Sequence, residues 1–125
     1  MPFPKKAKPD FVPRVLSIAG TDPTGGAGLH ADLKSIAAAG GYGMGVVTAL
    51  VSQNTVGVRA VHTPPVDFLV EQLAAVTEDV TIDAVKIGML GSRELTQAVT
   101  NWVRETKPAV VVLDPVMVAT SGDRL

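Results

Sequence analysis

The sequence predicts an α/β fold, a mostly parallel sheet with helices on both of its faces. Three observations predict it. Strand-like and helix-like patterns alternate from Arg14 onward, and such alternation builds a parallel sheet covered by the intervening helices. The strand-length runs are short and close to continuously apolar, as buried parallel strands are. Each run also gives way to glycine or polar residues at its carboxyl end, the side on which such sheets hold ligands.

Each element has its own justification. Arg14 to Ala19 reads as the first strand. Ala27 to Ala39 follows with Leu29, Leu33 and Ile36 at helical spacing, and Gly40-Gly41 is a good stop. The stretch Gly40 to Gly45 reads as a turn. Gly45 to Val51, rich in β-branched residues, reads as a second buried strand, and Val58 to Val61 is either a short strand or a connector. Pro64-Pro65 opens a helix whose core stripe is Val66, Leu69, Leu73 and Val76, proline being suited to a first turn. Ala84 to Ile87 is a strand ending in Gly88-Met89-Leu90. Ser92 is placed to cap a helix with Leu95, Val99, Trp102 and Val103 on one face, and Lys107-Pro108 ends it. Ala109 to Leu113 is continuously apolar, the mark of a strand covered on both faces.

Composition narrows the function classes. The 125 residues fit one domain or a piece of one; 46% are apolar, 18% are charged and the net charge is −1. That balance gives no electrostatic argument for nucleic acid or for an anionic membrane. Without cysteine there is neither a disulfide framework nor a thiolate metal site, which fits a cytoplasmic location. No apolar run approaches the ~20 residues of a membrane span. Residues 1–13, with Pro2, Pro4, Pro9 and Pro13 among charged residues, read as a flexible leader, and the absence of an apolar core argues against a secretory signal. Residues 14–125 then form the folded unit.

The carboxyl-end rule selects Gly20 to Gly28, Ser52 to Gly57, Gly88 to Gly91 and Asp114 to Gly122, which should converge. The first is a glycine-rich turn between a strand and a helix N-terminus, where a ligand can approach backbone N–H groups closely. It lacks the lysine of a phosphate-binding P-loop. Gly26-Ala27-Gly28-Leu29-His30-Ala31 matches a dinucleotide fingerprint, but no acidic residue stands between Asp32 and Asp67 to hold a ribose. Asp32 lies beside the Leu29/Ile36 stripe, so its carboxylate needs donors, from loop backbone or from a ligand's amino group. Gln53 carries donor and acceptor together, suited to the edge of a heterocycle, whereas Asn54 fits a turn. Met89 fits either core or a ligand wall. Asp114, held extended by Pro115, suits Mg²⁺ or a phosphate-bearing ligand, or else caps its own loop. His30 and His62 read as surface residues without metal spacing.

With those segments in place, the chain resembles hydroxymethylpyrimidine/phosphomethylpyrimidine kinase, of the ribokinase-like superfamily. The resemblance is carried by Ile18-Ala19-Gly20-Thr21-Asp22-Pro23-Thr24-Gly25-Gly26-Ala27-Gly28 with Ala31-Asp32-Leu33-Lys34, by Thr48-Ala49-Leu50-Val51-Ser52-Gln53-Asn54-Thr55, by Lys86-Ile87-Gly88-Met89-Leu90, and by Asp114-Pro115-Val116-Met117. It implies phosphorylation of 4-amino-5-hydroxymethyl-2-methylpyrimidine and of its monophosphate, with ATP and Mg²⁺, in thiamine biosynthesis. It implies that Gly20, Asp32, Gln53, Met89 and Val116 line the pyrimidine pocket, with Gln53 and Asp32 addressing ring nitrogen and exocyclic amine, and that Asp114 sits toward phosphates and metal. The partner it implies is this small molecule, and it leaves a homodimer open for a full-length form. Pyridoxal-type kinases share the Asp-Pro-Val-Met kind of segment and are the nearest alternative; a non-catalytic pyrimidine-binding module is another.

Members of that family are longer, and their ATP site, glycine-rich anion hole and general base lie in the other half. Phosphoryl transfer depends on positioning and charge stabilisation. Residues 14–125 alone are therefore expected to form a substrate-pocket half, with an exposed sheet edge and no turnover.

Overall fold

The computed structural model describes residues 10–116; most of the expected leader, and Met117 to Gly122 of the last loop, lie outside them. The elements in order are β1 (Arg14–Ala19), α1 (Gly28–Ala38), β2 (Tyr42–Val47), β3 (Leu50–Gln53), β4 (Val58–His62), α2 (Val66–Asp79), β5 (Ala84–Ile87), α3 (Arg93–Thr106) and β6 (Val111–Leu113). Four strands form a parallel sheet in the order β2-β1-β5-β6, and β3 and β4 form a separate antiparallel pair.

Strand periodicity sorts the side chains between two helical layers. Leu16 and Ile18 of β1, Val46 of β2, and Val85 and Ile87 of β5 pack with Leu69 and Leu73 of α2 and with Leu95, Val99 and Trp102 of α3. Full burial of side chains such as Leu16, Leu69 and Leu95 contributes about 1.5–3 kcal/mol each. The Trp102 indole donates to Thr77 Oγ1 at 3.0 Å, which ties α3 to α2 without leaving the N–H unpaired. The opposite face carries α1 and the polar residues Ser17 and Lys86. Ser92 Oγ accepts from Leu95 N–H and caps α3, and Lys107 closes the helix with a left-handed φ of 47°.

Two expectations are corrected. Gly45 to Val51 is not one strand. Its first part belongs to β2, which already begins at Tyr42, inside the expected turn. The glycines there serve packing: a Cβ on Gly45 would come within 2.5 Å of Leu29 Cδ1, and one on Gly43 within 2.9 Å of Leu33 Cδ2. The chain then leaves the sheet at Thr48 and Ala49, and Leu50–Gln53 pairs with Val58–His62, which settles the latter as a strand. The second correction concerns the strand expected to be covered on both faces. β6 is 42% to 62% exposed, because it is the outer strand of the described sheet and rests against β5 alone among its strands. An apolar run shows that burial is tolerated; it does not say what supplies it. Among the described residues, no helix is long and apolar enough to cross a membrane.

Candidate functional site

At the carboxyl ends of the parallel strands lies a cavity of about 600 Å³, within the size range of small-molecule sites. The four segments selected from the sequence all contribute to its wall, and Gly20, Asp32, Gln53, Met89, Asp114 and Val116 all border it. A larger groove of about 910 Å³ runs between α2 and α3, away from these loops.

The Gly20-to-Gly28 loop is built around Asp22, which is only 3% exposed. Its Oδ1 accepts from Thr24 N–H at 3.0 Å and Thr24 Oγ1 at 2.9 Å, and its Oδ2 accepts from Gly26 and Ala27 N–H at 2.9 Å each. Burial pushes this carboxyl up, but the bonds from Thr24, Gly26 and Ala27 outweigh it and hold it below its ordinary value. The consequence is chemical. The N–H groups that a phosphate would use at the start of α1 are already taken by an internal anion. The Gly26 and Ala27 N–H groups are therefore not free for a dinucleotide or P-loop phosphate, in agreement with the missing lysine and ribose acid.

Two glycines shape the wall. Gly28 has a φ of +56°, and a Cβ on it would collide with the Gly20 carbonyl, which accepts from Leu29 N–H at 2.8 Å. A Cβ on Gly20 would lie 2.6 Å from Met89 Cε, so the bare backbone makes room for that side chain. Thr21 Oγ1 accepts from Val51 N–H at 2.9 Å, and Thr48 Oγ1 donates to the Met89 carbonyl; these bonds fasten the first and third loops to the chain between Thr48 and Val51, which leads into the second.

Asp32 finds two protein donors, neither of them loop backbone: Ser17 Oγ of β1 and Lys86 Nζ of β5 both donate to Oδ2 at 2.7 Å. Asp32 Oδ1 has no protein donor among the described residues, nor does the Gln53 side-chain amide. Asn54 is a turn residue, its Oδ1 accepting from Val56 and Gly57 N–H at 2.9 and 3.3 Å. His62 and His30 are exposed, yet His30 Nδ1 accepts from Asp22 N–H at 3.1 Å and so braces the loop. Asp114 lies at the cavity rim, where its N–H donates to the Ile87 carbonyl at 2.9 Å.

Sequence reasoning passed over Ser17, Asp22 and Lys86. Signals for two of them were present: a lysine inside the apolar run Ala84 to Ile87, and an aspartate two residues before a threonine in a turn, the pattern of an Asx turn.

Comparison with known proteins gives the chain's family. The sequence profile described as Phosphomethylpyrimidine kinase matches residues 22–125. The chain is 69% identical over 113 residues to the thiamine biosynthesis multifunctional protein ThiED of Corynebacterium efficiens, covering 90% of this chain and 15% of that one. It is 52% identical over 110 residues to hydroxymethylpyrimidine/phosphomethylpyrimidine kinase of Escherichia coli, covering 88% of this chain and 41% of the enzyme. The crystal structure of phosphomethylpyrimidine kinase from Clostridium difficile 630 superposes with a TM-score of 0.84 at 44% identity, covering 90% of this chain and 49% of that one. The chain thus spans less than half the length of these relatives. Fold, profile and identity agree, and the chain belongs to the phosphomethylpyrimidine kinase family.

Proposed function

We propose that the cavity holds 4-amino-5-hydroxymethyl-2-methylpyrimidine and its monophosphate, the substrates of an ATP-dependent kinase of thiamine biosynthesis. One observation carries this reading. Asp32 and Gln53 border a single cavity with uncommitted polar atoms, while the adjoining backbone N–H groups are already filled by Asp22. The walls therefore suit a flat ring with donors and acceptors on its edge rather than a phosphate. Asp32 Oδ1 accepts from the exocyclic amine, the Gln53 amide meets a ring nitrogen, and Met89, packed over Gly20, lies against the ring face with Val116.

Asp114 fits the remaining role. It is the rim carboxylate not bonded to a protein donor among the described residues, and Mg²⁺ is typically held by one or two carboxylates plus substrate phosphates. Mg²⁺ bound there would offset phosphate charge. Residues 14–125 supply the pyrimidine side of the site, and the ATP-binding side belongs to sequence found in the longer relatives. A cytoplasmic enzyme, with homodimers open to a full-length form, accords with the same reading.

Calorimetric titration tests it. The chain is expected to bind the pyrimidine at one site and pyridoxal more weakly. Tighter binding of pyridoxal would favour a pyridoxal-type kinase, and no binding of either would remove the proposal.

A further inference from the structure

We propose that Lys86 is a specificity-determining positioning residue. With Ser17 it pins Oδ2 of Asp32, so that Oδ1 is offered to an exocyclic amine and an amino-pyrimidine is preferred to its oxo counterpart. The inference rests on the cavity being a pyrimidine site.

Lys86 is out of place by composition. It sits in β5 between Val85 and Ile87, which are 0% and 7% exposed. Its pairing with Asp32 does not account for it on grounds of stability. The two side chains keep only 23% and 19% of their exposure, and a partly desolvated ion pair is often no better than apolar residues of the same volume. Geometry gives the reason. Ser17 and Lys86 are register partners on adjacent strands, so their side chains rise from the same face of the sheet and reach the same carboxylate oxygen. Gly88 leaves the ammonium its path, since a Cβ there would lie 3.0 Å from Nζ.

Two donors from a rigid sheet on one oxygen fix the rotation of the carboxylate. The other oxygen, which can only accept, then has a defined place in the wall. An amine N–H satisfies it, whereas a carbonyl at the same ring position sets lone pairs against lone pairs. Sites built around a buried polar partner discriminate strongly against analogues that cannot complete the pair.

The test is a ratio of affinities, measured by titrating the chain with the 4-amino pyrimidine and with its 4-oxo counterpart. The unsubstituted chain should favour the amine, and Lys86→Met should lower that preference about tenfold or more. Ser17→Ala should lower it to a smaller extent, and it carries the same comparison if Lys86→Met does not fold. In an Asp32→Asn background, Lys86→Met should leave the ratio where Asp32→Asn alone put it, because Lys86 acts through that carboxylate. An unchanged ratio in the folded single variants, or a further drop on top of Asp32→Asn, overturns the positioning role. Binding of neither pyrimidine by the unsubstituted chain overturns the pyrimidine site itself.

Discussion

The side-chain amide of Gln72 on α2 accepts from Val47 N–H at 2.9 Å and donates to the Val47 carbonyl at 3.0 Å. Thr48 N–H, the next along the chain, bonds to Ala19 of β1 at 3.0 Å, so the Val47 groups point outward from β2, an outer strand. A helix side chain thus completes the ladder where a further strand would otherwise pair, one way of protecting an exposed edge. Gln72→Leu keeps the bulk and removes both bonds. It should destabilise the chain by about 2 kcal/mol, the cost of leaving backbone groups unpaired. Urea unfolding followed by circular dichroism reads this directly, and light scattering should show faster association. An unchanged midpoint would mean that water replaces the amide at no cost.

Asp22 makes the fold sensitive to acid. Its folded-state pKa lies below the ordinary value, so its contribution is complete above the ordinary carboxylate range and is lost as pH falls through the lower folded value. Asp83 is also lowered, first by the side-chain bond from Arg14, but that pair is only half-buried and remains open to screening by salt. Thermal midpoints measured from about pH 7 down to about pH 2 should therefore fall in the acid range for the unsubstituted chain. Asp22→Asn, which turns an N–H₂ toward the Gly26 and Ala27 donors, should start lower and show a flatter profile. Asp83→Asn should alter the profile only at low salt. If Asp22→Asn retains the full acid slope, another carboxylate governs it.

How far these features could be read beforehand depended on whether their causes were local. Ser92, Lys107-Pro108 and the Leu95/Val99/Trp102 face were legible because caps and helical period are properties of neighbouring residues. The bend at Thr48 was not, because the bond that holds it runs to the Met89 carbonyl, from the far side of the sheet. The same holds at the site. Asp32 and Gln53 stand out by position and chemistry, and Lys86 by its apolar neighbours, whereas Ser17, and the oxygen it shares with Lys86, emerge only when β1 and β5 are set in register. Exposure of β6 was likewise hidden, since the strand's composition records nothing about its neighbours.

Gly28 and Gly40 both have positive φ, +56° and +89°, but they differ in surroundings. Gly40 has nothing within 4 Å of a Cβ, while Gly28 would meet the Gly20 carbonyl. Gly40→Ala should therefore cost about 1–2 kcal/mol, the backbone penalty alone. Gly28→Ala should cost clearly more and should weaken pyrimidine binding as well, since Gly20 forms part of the cavity wall. Chemical denaturation and calorimetry on the two variants separate strain from collision. Equal losses of stability would show that the loop yields to the added methyl group.

Gln53 ends β3 with its side chain bordering the cavity and its amide unbonded to protein among the described residues. It therefore carries little of the fold, and Gln53→Ala should leave the thermal midpoint close to that of the unsubstituted chain. Its effect should fall on the ligand. A ring nitrogen deprived of its partner inside a desolvated cavity costs on the order of 1–3 kcal/mol, or roughly five- to 150-fold in Kd. Gln53→Glu sharpens the assignment, because an ionised carboxylate can only accept and would oppose a ring nitrogen that also accepts. It should weaken binding at least as much as alanine does. Calorimetric titration of both variants decides the matter: unchanged affinity in Gln53→Ala, or tighter binding in Gln53→Glu, would remove Gln53 from the ring-reading role.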